Sequence, residues 1–300
     1  MTERTKLEKL VFSHPAWIKA AQADKKTKQM ILDDIILFSV MPNMDPADLC
    51  ESTAAVYGDT VEEYRKNPHT KHVIDDLVRF MGMLPEGALV LDIGCAYGRD
   101  SLFMALKDEG FRRSFMGRIK DGKNTVERYG VPLKSFRTVG LDASPLMVDM
   151  ARKYANHFKC LRTQADGYPY YLCRDMHSIE ISDGSGPILF DGLWSCTALF
   201  THTPQDRLEE AMESAVNALK PGGIFFVSYT NGRVGGAYDK LILSSTGRIK
   251  WFSQPDPDEL IILAQKYGLE PIEESSFDDY AKGADFAKDL FVSHFFRKLS

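Results

Sequence analysis

The sequence predicts an α/β fold: an open, mostly parallel sheet with helices on both faces and an N-terminal helical extension ahead of it. Three observations carry the prediction. From residue 88 onward, short apolar segments alternate with amphipathic helical ones, the pattern of βαβ units. Two of the apolar segments carry an aspartate near their carboxyl end and run straight into a turn, at Asp92-Ile93-Gly94 and Asp142-Ala143-Ser144. The first 85 or so residues lack such segments and show helical spacing instead. The composition agrees, because 300 residues at 44% hydrophobic and 26% charged exclude a disordered chain, a collagen-like fibre and a coiled coil.

The elements follow in order. Between Pro15 and Met41, Trp17, Ile18, Ala21, Met30, Ile31, Ile35, Leu37 and Phe38 are partly periodic, and the polar run Gln22–Gln29 divides them into two helices. Met41–Pro46 is a turn. Helical segments near 46–57, 59–66 and 70–82 come next. Ala88–Ile93 is a strand dense enough to be covered on both faces. It enters the turn Gly94-Cys95-Ala96-Tyr97-Gly98 and a helix from Arg99 to about Lys107. Thr138–Asp142 is the second strand. Ser144 as N-cap and Pro145 at the first position start the next helix, with Leu146, Met147, Met150, Ala151 and Tyr154 on one face. Tyr168–Cys173 and Leu189–Trp194 are the third and fourth strands. Thr203-Pro204 opens a helix by the same capping logic, and Lys220-Pro221-Gly222-Gly223 closes it. Ile224–Tyr229 is the fifth strand. A helix over Asp258–Tyr267 and strands Glu270–Ser275 and Leu290–Arg297 complete seven strand candidates.

Several function classes drop out. No stretch of 18 apolar residues exists to span a membrane. MTERTKLEKL has no apolar core, so a secretory signal is not expected. Five cysteines without a CxxC pair point to reduced thiols in a cytoplasmic protein and away from a zinc ribbon. The turn after the first strand reads GxxxG. That disfavours the GxGxxG of nicotinamide and flavin proteins, and no Walker A loop is present. The net charge of −5 argues against a general nucleic-acid binder. Residues 111–137 depart from that average, with eight Lys or Arg against two acids. The segment is therefore +6 and the remainder −11. This insertion is either a solvated surface segment, the favoured reading, or an arm for RNA or an acidic protein.

In open parallel sheets, ligands bind at the carboxyl ends of the strands. A carboxylate at Asp142 suits the two hydroxyls of a ribose, since it accepts and never donates when ionised. LVLDIGCAYGRDS, VGLDASPLMVDMAR, FDGLWSCTALFTH and ALKPGGIFFVSY follow one another along the chain. In that order, over roughly residues 57–298, they resemble the class I S-adenosylmethionine-dependent methyltransferases, in particular their small-molecule members. The resemblance implies a Rossmann-like seven-stranded sheet, with residues 1–56 as a helical extension or lid and 57–300 as the methyltransferase domain. It implies S-adenosylmethionine as cofactor. Asp92, Gly94 and Gly98 would surround its methionine and ribose, with Cys95 and Ala143 as neighbours. Asp142 would hold the ribose hydroxyls. Asp175 would accept from the adenine amino group, with the Met176 backbone facing the ring, although Gln164-Ala165-Asp166 offers an alternative. Ser195 or Cys196 would sit near the methionine amino group and the reacting methyl. Ala96 stands where the family has its middle glycine.

His202 is the candidate general base or pocket-shaping residue, and Tyr229 faces the same rim. Tyr57 and Tyr64 resemble cofactor-lid tyrosines. Arg248 and Trp251, in RIKWF, resemble a substrate-proximal stretch. The expected function is in-line methyl transfer to a small-molecule acceptor. The alternatives are transfer to RNA or protein through 111–137, and a non-catalytic protein that binds S-adenosylmethionine.

Overall fold

The computed structural model describes residues 4–40, 44–62, 74–117, 122–158, 169–232, 239–244, 247–276 and 291–300. The chain begins with α1 (Lys6–Ser13), α2 (Pro15–Lys19), α3 (Lys25–Ile31), a π turn at Leu32–Ile36, α4 (Leu37–Val40), α5 (Pro46–Asp59) and α6 (Ile74–Met83). It continues through β1 (Leu89–Ile93), α7 (Arg99–Ala105), α8 (Glu109–Gly117), α9 (Gly122–Tyr129), β2 (Arg137–Asp142), α10 (Pro145–His157), β3 (Tyr170–Cys173) and β4 (Phe190–Cys196). After α11 (Leu208–Ala218) come β5 (Leu219–Thr230), β6 (Lys240–Leu243), β7 (Ile249–Phe252), α12 (Pro257–Lys266), β8 (Leu269–Ser276) and β9 (Phe291–Lys298).

The main sheet has seven strands in the order β3-β2-β1-β4-β5-β9-β8. β1 pairs in parallel with β2 and β4, and β9 runs antiparallel between β5 and β8. Strand alternation divides the core. Leu89, Leu91 and Ile93 enter one cluster with α11 and α12, while Val90 joins Trp194, Phe226 and Phe295 against α6 and α7 on the opposite face. This is the expected mostly parallel α/β sheet covered on both sides.

Some elements differ from their sequence-based reading. The polar run at 22–29 contains a helix start rather than a plain break, because the Asp24 side chain caps α3 by accepting from Thr27 N–H (2.8 Å). Thr203 does not cap α11. Its hydroxyl donates back to Leu199 O (2.6 Å), and a 3-10 turn at Gln205–Arg207 precedes the helix. Pro221-Gly222-Gly223 lies within β5 as an irregularity between the Phe190–Leu219 and Gly192–Ile224 pairs. The β6–β7 hairpin was not expected as strands. The helix expected near 59–66 lies largely outside the described residues.

That hairpin binds the N-terminal helices. Leu241, Leu243, Ile249 and Trp251 share one cluster with Leu7, Val11, Leu32, Ile36 and Leu49. An ion pair crosses it. Glu8 is fully buried, and Arg248 meets its two carboxylate oxygens at 2.5 and 2.9 Å while also pairing with Asp59 of α5. Burial alone would raise the Glu8 carboxyl, but Arg248 and the Thr5 and Ile249 N–H groups hold it below its ordinary value. The extension and the hairpin therefore form one lobe, and α5 runs across the expected boundary at residue 56.

The basic insertion is mostly internal wiring. Arg112 is fully buried and donates to the carbonyls of Phe103, Met104, Pro132 and Lys134. Lys134 caps Gly82 and Leu84, Arg137 donates to Gly87 O, Arg113 pairs with Glu109 and Arg128 with Asp75. The side chains of Arg118, Lys120 and Lys123 lie outside the described residues.

Two turns at the strand ends are strained. Ala96 (φ 47°) and Thr197 (φ 51°) take left-handed backbone that non-glycine residues rarely adopt. Ala96 is held there by its N–H donating to Asp142 Oδ2 (2.9 Å), and Thr197 by its N–H donating to Ser228 O (3.0 Å) and Oγ (2.9 Å).

Two outcomes are expected. Arg248→Ala strands a buried carboxylate and should lower unfolding stability by about 3–5 kcal/mol in chemical denaturation. A loss below about 1 kcal/mol would contradict the strut. Because the folded Glu8 titrates below its unfolded value, its contribution is complete above about pH 4.5 and fades as pH falls through the folded value, so this part of the acid limb should vanish in the variant. Ala96→Gly should not show the usual glycine loss of about 0.5–1 kcal/mol, since relief of left-handed strain is worth about 1–2 kcal/mol. A normal glycine penalty in the same measurement would show that the strain is not stored.

Candidate functional site

Sheet order reverses direction beside β1: the chain moves outward through β2 and β3, then returns to β4 on the other side. A crevice opens at the carboxyl ends of strands at such a point. Here the empty space between the turns, counting the part open to solvent, is about 660 Å³. Gly94 and Ala96 after β1, Asp142 and Ala143 after β2, Asp175 and Met176 after β3, and Cys196, Thr197 and Ala198 after β4 line it. One face of α5 closes it from above with Cys50, Thr53, Ala54 and Tyr57.

The two central turns touch. Gly94 has φ +70°, and a Cβ there would come within 2.2 Å of the Ala198 Cβ. Only glycine allows the β1 and β4 turns to approach this closely. Gly98 serves another purpose. It precedes α7, does not line the cavity, and lies under Tyr171, whose hydroxyl donates to Gly98 O (3.3 Å).

The acids divide by environment. Asp142 accepts Ala96 N–H on one oxygen (2.9 Å) and Ser144 N–H on the other (2.8 Å). Burial holds its carboxyl above the ordinary value despite these bonds. Each oxygen keeps a lone pair, so a vicinal diol fits the group. Asp175 is exposed and holds its carboxyl down at about 2, chiefly through its bond to His177. His177 Nδ1 faces Asp175 Oδ1 at 2.6 Å, and Nε2 donates to His202 O at 3.0 Å. Asp175 Oδ2 receives no hydrogen bond from a described residue, so it can accept from an exocyclic amine.

Asp92 lies deeper and outside the cavity lining. It accepts the N–H (3.0 Å) and hydroxyl (2.5 Å) of Ser101 in α7. Burial, with Asp100 close by, raises its carboxyl well above the ordinary range. Cys95 is also buried, in the cluster with Tyr171 and Val148. Ser195 is fully buried and its Oγ accepts Leu199 N–H (3.0 Å), which holds the turn after β4. Burial pushes the Cys196 thiol up to about 12, so it is no thiolate nucleophile.

His202 lines the cavity. Its ring meets Tyr57 edge-on at 5.4 Å and Phe252 at 4.9 Å. Burial and the charge of Lys250 push its pKa down to about 3; the Trp251 backbone comes near without closing a hydrogen bond of normal geometry. Tyr229 is fully buried away from the cavity, 2.7 Å from His294 Nε2. Trp251 is likewise buried among the N-terminal helices, and Arg248 is consumed by Glu8 and Asp59. Tyr64 and Asp166 lie outside the described residues.

Sequence reasoning missed Cys50, Thr53, Ala54, Thr197, Ala198 and His177 as cavity residues. Cys50, Thr53, Ala54 and Tyr57 had a signal, for they fall at one helical face's spacing. No local pattern marked the others.

A diol-ready carboxylate at the end of β2, an ionised acceptor after the neighbouring β3 and the Gly94 turn after β1 on the other side fit an adenosyl cofactor. The Methyltransferase domain family matches residues 63–274. No curated protein sequence matches the chain. Among solved structures, the TehB-like S-adenosylmethionine-dependent methyltransferase of Corynebacterium glutamicum is similar with TM-score 0.50 at 18% identity, over 81% of this chain and 98% of its own. The CcbJ methyltransferase of Streptomyces caelestis gives 0.51 at 16%, over 81% and 98%. The Burkholderia thailandensis 1,6-didemethyltoxoflavin-N1-methyltransferase, with 1,6-didemethyltoxoflavin and S-adenosylhomocysteine bound, gives 0.52 at 14%, over 86% and 92%. At these identities the likeness speaks for the fold, while the family match covers most of the chain. The chain belongs to the class I S-adenosylmethionine-dependent methyltransferases.

Proposed function

We propose that this methyltransferase acts on a small-molecule acceptor held beneath the lobe formed by the N-terminal helices and the β6–β7 hairpin. The observation that carries the reading is the roof. α5 lays Cys50, Thr53, Ala54 and Tyr57 over the strand ends, and Thr53 is tied to the hairpin through Trp251 N (3.1 Å) and O (3.3 Å). A covered cavity suits a small acceptor better than a polymer. Five of the eight basic residues in 111–137 are already engaged within the chain, which weakens the reading of that segment as an RNA or acidic-protein arm.

In this reading Asp142 holds the ribose hydroxyls, Asp175 accepts from the adenine amino group, and Met176 packs beside the ring. Gly94, Ala96 and Ala143 give the cofactor close backbone approach. Asp92, Cys95, Gly98 and Ser195 support the turns from behind. The bound cofactor supplies an electrophilic methyl on a sulfonium. The residues after β4, Cys196 to Ala198, and the ring of His202 bound the space where the acceptor aligns and from which water is excluded. The N-terminal segment acts as a lid in this assignment.

Asp142→Asn replaces two of the diol's acceptor lone-pair sites with donors. It should weaken S-adenosylhomocysteine binding by about 10- to 100-fold in calorimetry. It should also lower unfolding stability by about 1–3 kcal/mol, because the new amide NH2 faces the Ala96 or Ser144 N–H. Unchanged affinity would remove Asp142 from the cofactor site. Labelled methyl transfer offered to metabolite, RNA and protein fractions should appear in the metabolite fraction. Transfer confined to RNA or protein would overturn the small-molecule reading.

A further inference from the structure

A cation, Lys250, lies beneath the hairpin next to two residues that line the cavity, although it does not line the cavity itself. Along β7, Ile249 and Trp251 enter the N-terminal cluster, and alternation turns Lys250 and Phe252 the other way. Lys250 Nζ lies 4.5 Å from the centre of the Tyr57 ring and 4.7 Å from that of Phe252, and it donates to Tyr57 Oη at 3.3 Å. Tyr57 and His202 line the cavity, and the Phe252 ring rests on His202. Arg248, two residues earlier, is matched by two carboxylates; Lys250 has none among the described residues. A half-buried cation beside aromatic rings, with no carboxylate partner among the described residues, is incompletely compensated.

A second observation lies in the same layer. Among the described residues, the buried side-chain polar atoms without a hydrogen-bond partner are on Ser52, Thr201, His202, Asp239, Trp251 and Gln254. They sit on α5, on the turn after β4 and around the hairpin; His202 also accepts from His177, the partner of Asp175, through its carbonyl. His202 Nδ1 is the one of these whose residue lines the cavity, and His202 is only 6% exposed. Buried polar atoms are normally paired, and a polar group entering the cavity would pair His202 Nδ1.

We propose that Lys250, with Tyr57 and His202, forms a subsite for an oxyanionic group, a carboxylate or phosphate, carried by the methyl acceptor. The assignment rests on the small-molecule reading above. The ammonium supplies the charge, the Tyr57 and Phe252 rings hold it in place, and the low basicity of His202 keeps a second cation from forming beside it. Burial lowers the Lys250 pKa to about 8, so the free enzyme carries the charge at neutral pH and loses it above that value.

The test uses the full chain, a radiolabelled methyl donor and a metabolite library sorted into oxyanionic members and uncharged or cationic members. Methylated products are expected from the oxyanionic set. For the best acceptor, Lys250→Met should raise KM about 10- to 100-fold, with kcat and S-adenosylhomocysteine affinity within about threefold. Lys250→Arg should restore most of the KM, and the fall of kcat/KM above about pH 8 should move to higher pH in this variant. Products from the uncharged or cationic set alone, or a Lys250→Met enzyme with unchanged KM, would overturn the subsite and leave the small-molecule reading standing. Transfer only to RNA or protein, or to nothing while S-adenosylhomocysteine still binds, would overturn both.

Discussion

The site depends on the contact between two turns. β1 and β4 are adjacent parallel strands, and their following turns meet where Gly94 faces Ala198. No side chain fits between them, so the backbone itself forms the cavity floor. The strain at Ala96 and Thr197 is the consequence. Each turn must bend sharply enough to clear the other, and each is pinned by hydrogen bonds from a neighbouring strand end, Asp142 in one case and Ser228 in the other. Asp142 thus has a structural task before any ligand arrives: the carboxylate that suits a ribose is also the clamp that keeps Ala96 left-handed. In the proposed reading, cofactor affinity and turn geometry are coupled through one side chain.

The roof depends on a different device. Its helices come from the first 60 residues and its hairpin from residues 240–252, so the closure of a very long loop has to be offset. A shared apolar cluster does most of this, and the Glu8–Arg248 pair fixes the register within it. A fully buried carboxylate is tolerated because a bidentate guanidinium and two backbone N–H groups meet it. Arg112 applies the same logic in the basic insertion, where it satisfies carbonyls at the end of α7. In that segment Arg112, Lys134 and Arg137 fasten backbone carbonyls, while Arg113 and Arg128 make exposed pairs with Glu109 and Asp75.

This division explains what was legible in the sequence. The sheet was legible because parallel strands buried on both faces are continuous apolar runs, as in Leu89–Ile93. The cofactor side was legible because its residues sit at strand ends, where position in the motif determines position in space. Asp142 and Asp175 are of this kind. On the proposed acceptor side Tyr57 and His202 were legible as single candidates, but not their grouping with Lys250, because the three are far apart along the chain and are brought together only by the lobe. Arg248 and Lys250 are two residues apart in RIKWF, yet one is a fastener to Glu8 and Asp59 and the other meets the Tyr57 and Phe252 rings. Their different partners are set by how the hairpin packs on the N-terminal helices, and the hairpin had no clear sequence signal. Tyr229 shows the converse. It ends a strand as a site residue would, but pairing with His294 on β9 draws it into the core.

The same arrangement constrains the chemistry. Methyl transfer from a sulfonium needs a general base only when the attacking atom still carries its proton at working pH. His202, pushed to about 3, is a poor proton acceptor at neutral pH, and the Cys196 thiol at about 12 is no better. The Tyr57 hydroxyl is raised well above its ordinary range. An unprotonated Lys250 would be basic enough, yet at neutral pH it carries its proton. In the proposed reading, the cavity therefore favours acceptors whose nucleophile presents a lone pair unaided, or an acidic group whose deprotonation the nearby ammonium promotes. Acceleration then comes from alignment and from exclusion of water beneath α5, and the proton released on transfer leaves through solvent rather than through a dedicated residue.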